Sequence, residues 1–287
     1  MSEPLTRAAL RDFPLPCESD GGKDDHGRLL VIAGSRQVPG AAMLSARAAL
    51  RSGAGKVRIA TVASVAPAMA LHMVEVFVVP LAEAEDGGCA PGCLDSVREQ
   101  SERVDAIVAG PGIRRGQVAM DIARVVLGSG KPAAIDAGLL HCLAPIDSCC
   151  RDAGVSPVLL PHARELAALL ETSEEQVEKD RLAAAHKAAE HYGAFVLAKG
   201  SQSHIAAPDG RAWTYSGGVA GLGIAGSGDV LSGIVGALLA RGAEPLTALL
   251  WGVLLHGEAG EVLAKSVGPV GFLAREIPDE IPALLAR

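Results

Sequence analysis

Apolar residues in this chain come in short bursts separated by longer amphipathic stretches, and the alternation of the two predicts most of the fold. Residues 29–33 are wholly apolar and closed by Gly34-Ser35, as expected of a short strand buried on both faces. After a loop to Gly40, an Ala-rich segment running to about Arg51 predicts a helix. Residues 56–63 alternate through Val57, Ile59 and Thr61 and predict a second strand. Further strands are predicted at 74–79, 104–109, 133–136, 157–160 and Phe195–Ala198, with helices over Gln117–Leu127, 162–170 and 174–192 between them. Residues 203–207 and 211–215, joined by Pro208-Asp209-Gly210, form the pattern of a hairpin. Beyond Asp229 the pattern is helical over 230–240, 245–265 and 273–286. Strands alternating with helices predict an α/β fold: a central, mostly parallel sheet with helices on both faces. No linker, low-complexity tract or repeat interrupts the pattern, so residues 1–287 are expected to form one domain.

Composition narrows this picture. Hydrophobic residues make up 49% of the chain and aromatic residues only 3%, so the core is built from Ala, Val and Leu, which suits helices packed closely on a parallel sheet. A net charge of −7 argues against a general nucleic-acid binder and leaves room for an anionic small molecule held by a few local donors. The cysteines (Cys17, Cys89, Cys93, Cys142, Cys149, Cys150) have neither CxxC spacing nor histidines placed to complete a zinc site, and reduced thiols are expected. The first residues carry charges and no apolar run, and no stretch of about 18 uninterrupted apolar residues occurs. A cytoplasmic protein with no membrane partner is the expectation.

In a sheet of this kind ligands sit beyond the carboxyl ends of the strands. The junctions there are Gly34-Ser35, Gly110-Pro111-Gly112, Asp136-Ala137-Gly138, Pro161-His162, Lys199-Gly200 and Gly226-Ser227-Gly228-Asp229. The last of these feeds a glycine turn into an apolar helix with a carboxylate in its first turn. Free amides and the dipole at such a helix start favour phosphate. A carboxylate gains nothing from phosphate, so Asp229 is either an ordinary helix-capping residue or a base facing a substrate hydroxyl.

The other junctions leave more open. Lys199 is a nucleotide contact or a solvated lysine at a strand end, and His162 is a helix cap or a functional imidazole. Asp136 is ligand-facing or loop-capping, and Arg114-Arg115 are a solvated pair or a phosphate contact. His256-Gly257-Glu258-Ala259-Gly260 is expected to permit close helix packing rather than catalysis. Residues 221–226 match GxGxxG, but the element that follows the helix is a second helix rather than a strand, so no dinucleotide fingerprint is assigned. No Walker loop occurs, which leaves the amides of Gly226, Ser227 and Gly228 to bind any phosphate.

In order and spacing, these junctions resemble the ADP/ATP-dependent NAD(P)H-hydrate dehydratases of the ribokinase-like superfamily. The resemblance runs from Lys23 to near Lys265, through residues 27–35, Gly40-Ala41, residues 48–55, Gly110-Pro111-Gly112, Asp136-Ala137, Pro161-His162 with Glu165, Lys199-Gly200 and residues 225–233 to residues 256–260. It implies a repair enzyme. Reduced nicotinamide cofactors add water across a ring double bond; the family uses ADP or ATP to phosphorylate the new hydroxyl, then expels phosphate and restores NADH or NADPH. By resemblance Asp229 is the base. The hydrate binds near Ala41, Gly112, His162 and Asp229, and the nucleotide lies against Lys199, Gly200, Ser201, Gln202, Ser203 and Gly228. Phosphoryl transfer rests on positioning and charge neutralisation, so Mg2+ is expected to arrive with the nucleotide. Relatives form tetramers, which implies a homo-oligomer, and no residues remain for the fused epimerase domain that some relatives carry.

This chain departs from the family pattern on the hydrate side. Asp136-Ala137-Gly138-Leu139-Leu140-His141 stands where the family has Asp-Ala-Asp-x-Leu-Asn. Leu160-Pro161-His162-Ala163-Arg164-Glu165 replaces Thr-Pro-His-Pro-Gly-Glu, and Arg114 replaces a glycine. The alternatives to a dehydratase are a ribokinase-like small-molecule kinase, whose phosphorylated product would accumulate, and a nucleotide-binding module without turnover.

Overall fold

The computed structural model describes residues 2–16, 22 and 26–286; Cys17 and Lys23 lie outside the described residues. Its strands are β1 (Glu3–Pro4), β2 (Arg28–Ile32), β3 (Lys56–Val62), β4 (Phe77–Leu81), β5 (Ala106–Ala109), β6 (Ala133–Ile135), β7 (Val158–Leu159), β8 (Phe195–Ala198), β9 (Ser203–Ala206) and β10 (Ala212–Tyr215). They form one sheet in the order β1-β10-β9-β8-β7-β6-β5-β2-β3-β4. Among the pairings of the named strands, β8–β9 and β9–β10 are antiparallel, and β9 with β10 makes the hairpin expected from the turn at 208–210. The chain runs outward from β2 through β3 to β4, then returns to pair β5 on the other side of β2. The β2–β5 boundary is thus a reversal of strand order, where open α/β sheets leave a crevice at their carboxyl ends.

Helices cover both faces: α1 (Gly40–Arg51), α2 (Ala66–His72), α3 (Leu94–Glu102), α4 (Gln117–Leu127), α5 (Asp147–Arg151), α6 (Ala163–Leu169), α7 (Glu174–Lys179), α8 (Arg181–Tyr192), α9 (Ser227–Ala240), α10 (Pro245–Ser266) and α11 (Ile277–Leu285). In β2, Leu29 and Val31 join a core with α1, α9, α10 and α11, while Leu30 and Ile32 point into a second core with α3, α4, α6 and α8. The period-two alternation of a strand accounts for the split. Small residues set the distance between α1 and α9: a Cβ on Gly233 would lie 2.1 Å from the Ser45 carbonyl oxygen. A Cβ on Gly236 would lie 2.2 Å from Val108 Cγ2, so α9 rests directly on β5. Helix α10 is long and apolar enough to cross a membrane by length and composition, yet 72% of its most apolar window is buried within the protein.

Several elements differ from the sequence expectation. The strand expected at 74–79 begins at Phe77, because Met73 still donates its N–H to Met69 at the end of α2 and Val76 donates to Met73 in a turn. The helix expected over 174–192 is two helices, broken at Asp180, whose carboxylate caps α8 by accepting from the Ala183 N–H. Helices α2, α3 and α5 and the edge strand β1 are additional. The C-terminal segment forms a 3₁₀ turn (Ala274–Glu276) before α11. The GxGxxG match falls in a 3₁₀ turn leading into α9, with α10 as the next helix, as expected.

Candidate active site

The carboxyl end of β6 carries Asp136, of which only 2% is exposed. Its Oδ1 accepts from the Ala137 N–H at 2.8 Å and from Lys199 Nζ at 2.8 Å. Asp136 is therefore both loop-capping and charge-pairing. Lys199 follows β8, where its backbone N–H donates to Pro161 and draws the ends of β7 and β8 together. Burial opposes the charge on Lys199, but Asp136, Glu165 and Asp229 outweigh it and hold the pKa above that of an ordinary lysine.

His162 caps α6. Its Nδ1 accepts from the Arg164 and Glu165 N–H groups at 3.1 and 3.4 Å, and Glu165 Oε2 accepts in return from the His162 N–H at 2.9 Å. Glu165 is buried, and its pKa is raised by that burial, with Lys199 opposing and Asp136 adding to the shift.

Helix α9 supplies the third side of the site. Gly226 precedes it at φ +90°, a left-handed backbone that suits glycine. The first-turn amides of Gly228 and Asp229 have no acceptor within the helix. The Asp229 carbonyl accepts from Ser45 Oγ at 2.9 Å and from Ser232 Oγ at 2.8 Å, which pins this turn against α1. The Asp229 side chain is pushed up to about 6, first by burial and then by Asp136, against the pull of Lys199. A half-buried carboxylate poised near neutrality beside a fixed ammonium suits a general base.

Gly228 leaves the approach open: a Cβ there would lie 3.4 Å from Lys199 Nζ and 3.8 Å from Asp136 Oδ2. Behind the turn, His256 Nε2 lies 3.1 Å from the Ser227 carbonyl and 3.0 Å from Ser227 Oγ. Burial lowers its pKa to about 4, so the ring is neutral. Close packing is the expectation for this segment, and Cβ atoms on Gly257 and Gly260 would meet Tyr215 and Leu222, but the His256–Ser227 contact has no local sequence signal.

Two cavities flank these charges. One, of about 770 Å3, is lined by Lys199, Gly200, Ser201, Ser203, Ser227 and Gly228, with His162 and His256 at its wall. Gln202 is exposed and hydrogen-bonds Ser216 Oγ at 3.1 Å instead. The other cavity, of about 320 Å3, lies at the strand-order reversal and is lined by Ser35, Gly112, Arg115, Gly138, His141 and Glu165. Ala41 is buried beside it, and a Cβ on Gly112 (φ +68°) would lie 2.9 Å from Ala41 Cβ. His162 borders the larger cavity and its capping partner Glu165 the smaller. Arg114 is exposed and paired with Asp86 at 3.1 Å.

A family model described as NAD(P)H-hydrate dehydratase matches residues 29–283. The chain is 44% identical to the ADP-dependent (S)-NAD(P)H-hydrate dehydratase of Xanthomonas campestris pv. campestris, over 99% of this chain and 96% of that one. It also matches bifunctional NAD(P)H-hydrate repair enzymes and spans about half their length, 53% for the 35%-identical protein of Moorella thermoacetica. Its fold superposes with TM-score 0.84 on the ADP/ATP-dependent NAD(P)H-hydrate dehydratase of Bacillus subtilis co-crystallised with ATP/Mg2+, at 26% identity over 100% of this chain and 98% of that one. It superposes equally, at 24% identity over 99% and 95% of the chains, on a ribokinase-like superfamily protein from Enterococcus faecalis. On this ribokinase-like fold, with a glycine turn and its aspartate at the start of α9, the chain belongs to the NAD(P)H-hydrate dehydratase family.

Proposed function

We propose that this protein restores NADH or NADPH from the (S)-hydrate at the expense of ADP or ATP. The observation that carries the proposal is Asp229: a carboxylate raised to about 6, in the first turn of α9, subject to the charges of Asp136 and Lys199 and next in sequence to Gly228, which lines the larger cavity. The larger cavity takes the nucleotide, with its phosphates at the Gly228 and Asp229 amides and the Lys199 ammonium. The hydrate enters from the smaller one, past Ala41, Gly112 and His162.

Asp229 accepts the proton of the ring hydroxyl as that oxygen attacks the terminal phosphorus and the remainder of the nucleotide leaves. Phosphate then departs with the C–O bonding electrons. The adjacent carbon loses the proton that hydration had added, and the ring double bond re-forms. Lys199, fixed by Asp136, offsets charge on the transferring group.

Magnesium fits as a companion of the nucleotide. Among the described residues no group of three or more His, Cys, Asp or Glu side chains is placed to hold a metal ion. Magnesium usually keeps waters and is bound through substrate phosphates with one or two carboxylates, and Asp229 and Asp136 are the carboxylates nearest that position. The ion would neutralise phosphate charge. The cytoplasm is the proposed location, and a homo-oligomer the proposed assembly.

The test is recovery of reduced-nicotinamide absorbance from the hydrate, with magnesium and either ADP or ATP. Recovery that requires nucleotide and is lost in Asp229→Asn supports the proposal. Accumulation of a phosphorylated product without recovery would make the protein a kinase instead.

A further inference from the structure

The smaller cavity holds two groups that the reaction above does not use. His141 is the penultimate residue of the 3₁₀ segment Ala137–Cys142, and its Nε2 is buried without a hydrogen-bond partner. A buried ring nitrogen left unpaired costs stability, and the His141 ring, itself only partly buried, lines the cavity. Arg115 borders the same cavity, and among the described residues no ion pair or hydrogen bond engages its guanidinium. Its neighbours are committed elsewhere: Arg114 pairs with Asp86, and Arg164 pairs with Glu174 at 3.8 Å. The acidic group on the wall, Glu165, is turned to the His162 N–H.

The backbone explains why these groups share one rim. A Cβ on Gly138 would lie 2.0 Å from the Ile113 carbonyl oxygen, so the 110–113 turn presses directly on the start of the 137–142 segment. The family pattern places an aspartate at 138. Glycine here removes a carboxylate and admits the close approach. The result, in a chain of net charge −7, is a cavity mouth with an unpaired cation and an unpaired imidazole nitrogen. An anion with several acceptor oxygens is the ligand such a mouth suits, since guanidinium and imidazole N–H donors both make charge-assisted bonds to phosphate.

We propose that Arg115 and the imidazole ring of His141 together bind a phosphate of the hydrated nicotinamide nucleotide and so set the affinity of this protein for the hydrate. This rests on the dehydratase reading given above. Burial first, and then the charges of Arg115, His162 and Arg164, hold the His141 pKa below the usual histidine range, so in the free protein it is a neutral donor or acceptor.

The test is steady-state kinetics of the full chain with NADH hydrate, varying hydrate and ADP separately at low and high salt. Arg115→Ala is expected to raise KM for the hydrate about tenfold at low salt, with the gap narrowing as salt is added. His141→Ala is expected to raise it by a similar factor, and His141→Asn to recover part of the loss by restoring an N–H donor. KM for ADP stays constant in all three. An unchanged hydrate KM, or hydrate and ADP KM values that rise together, would overturn the proposal. If His141→Ala does not fold, the exposed Arg115→Ala variant decides alone. Absence of turnover by the unsubstituted protein would instead overturn the dehydratase reading, a distinct result.

Discussion

Lys199 Nζ lies 2.8 Å from Asp136 Oδ1, and the aspartate is almost fully buried whereas the lysine side chain keeps 20% of its exposure. The pair is asymmetric: its buried partner fixes the cation, and the cation keeps an edge toward the larger cavity. Removing one member of such a pair leaves an uncompensated charge, which costs about 3 kcal/mol or more. Asp136→Ala is therefore expected to lower stability by about 3 kcal/mol in denaturant titrations and to weaken ADP binding as Lys199 loses its anchor. Asp136→Leu combined with Lys199→Met should recover most of the stability and none of the nucleotide affinity. A double variant as unstable as Asp136→Ala would mean the pair is not the source of the loss.

Asp229 ties activity and stability to the same titration. As the base it must be ionised, so kcat/KM is expected to rise with pH through about 6 and then level off. Its folded pKa is raised above the unfolded value near 3.9, so the folded state binds more protons between those pH values. The carboxylate thus costs stability as pH rises through this window, by about 1–3 kcal/mol at its full extent above pH 6. Asp229→Asn should abolish turnover and yet melt higher than the parent protein at pH 8, with the difference vanishing near pH 4. A lower melting temperature for the variant at pH 8 would contradict the burial-driven shift.

The legibility of these elements in the sequence follows from how local their causes are. Strands such as β5 and β8 are continuous apolar runs, and the glycine turn before α9 is written in four consecutive residues, so both could be read directly. The edge strand β4 was displaced because its start depends on where α2 ends, and α2 itself has no amphipathic signal over seven residues. Asp180 breaks a helix-compatible stretch through a side-chain cap, a choice that composition does not announce. In the site, Asp136, His162, Lys199 and Asp229 stand at strand or helix ends and are visible as junctions. His256 reaches Ser227 across 29 positions, and the unpaired state of Arg115 and His141 depends on the approach of two loops. Those are properties of packing alone.

Two glycines of α9 separate binding from folding. At Gly233 a Cβ would meet the Ser45 carbonyl oxygen at 2.1 Å, and neither backbone can withdraw without parting α1 from α9. Gly233→Ala is expected to cost about 2–4 kcal/mol despite the better helix propensity of alanine. At Gly228 the nearest atom to a Cβ is the Lys199 ammonium at 3.4 Å, an ordinary contact with the end of a flexible side chain. Gly228→Val should leave stability within about 1 kcal/mol of the parent, since the first turn of a helix tolerates valine better than glycine. Its isopropyl group would stand between the first-turn amides and Lys199, where the phosphates are proposed to lie, and ADP affinity should fall at least tenfold in calorimetry. Equal ADP affinity in Gly228→Val and the parent would remove the phosphates from this turn and, with them, the role given to Lys199.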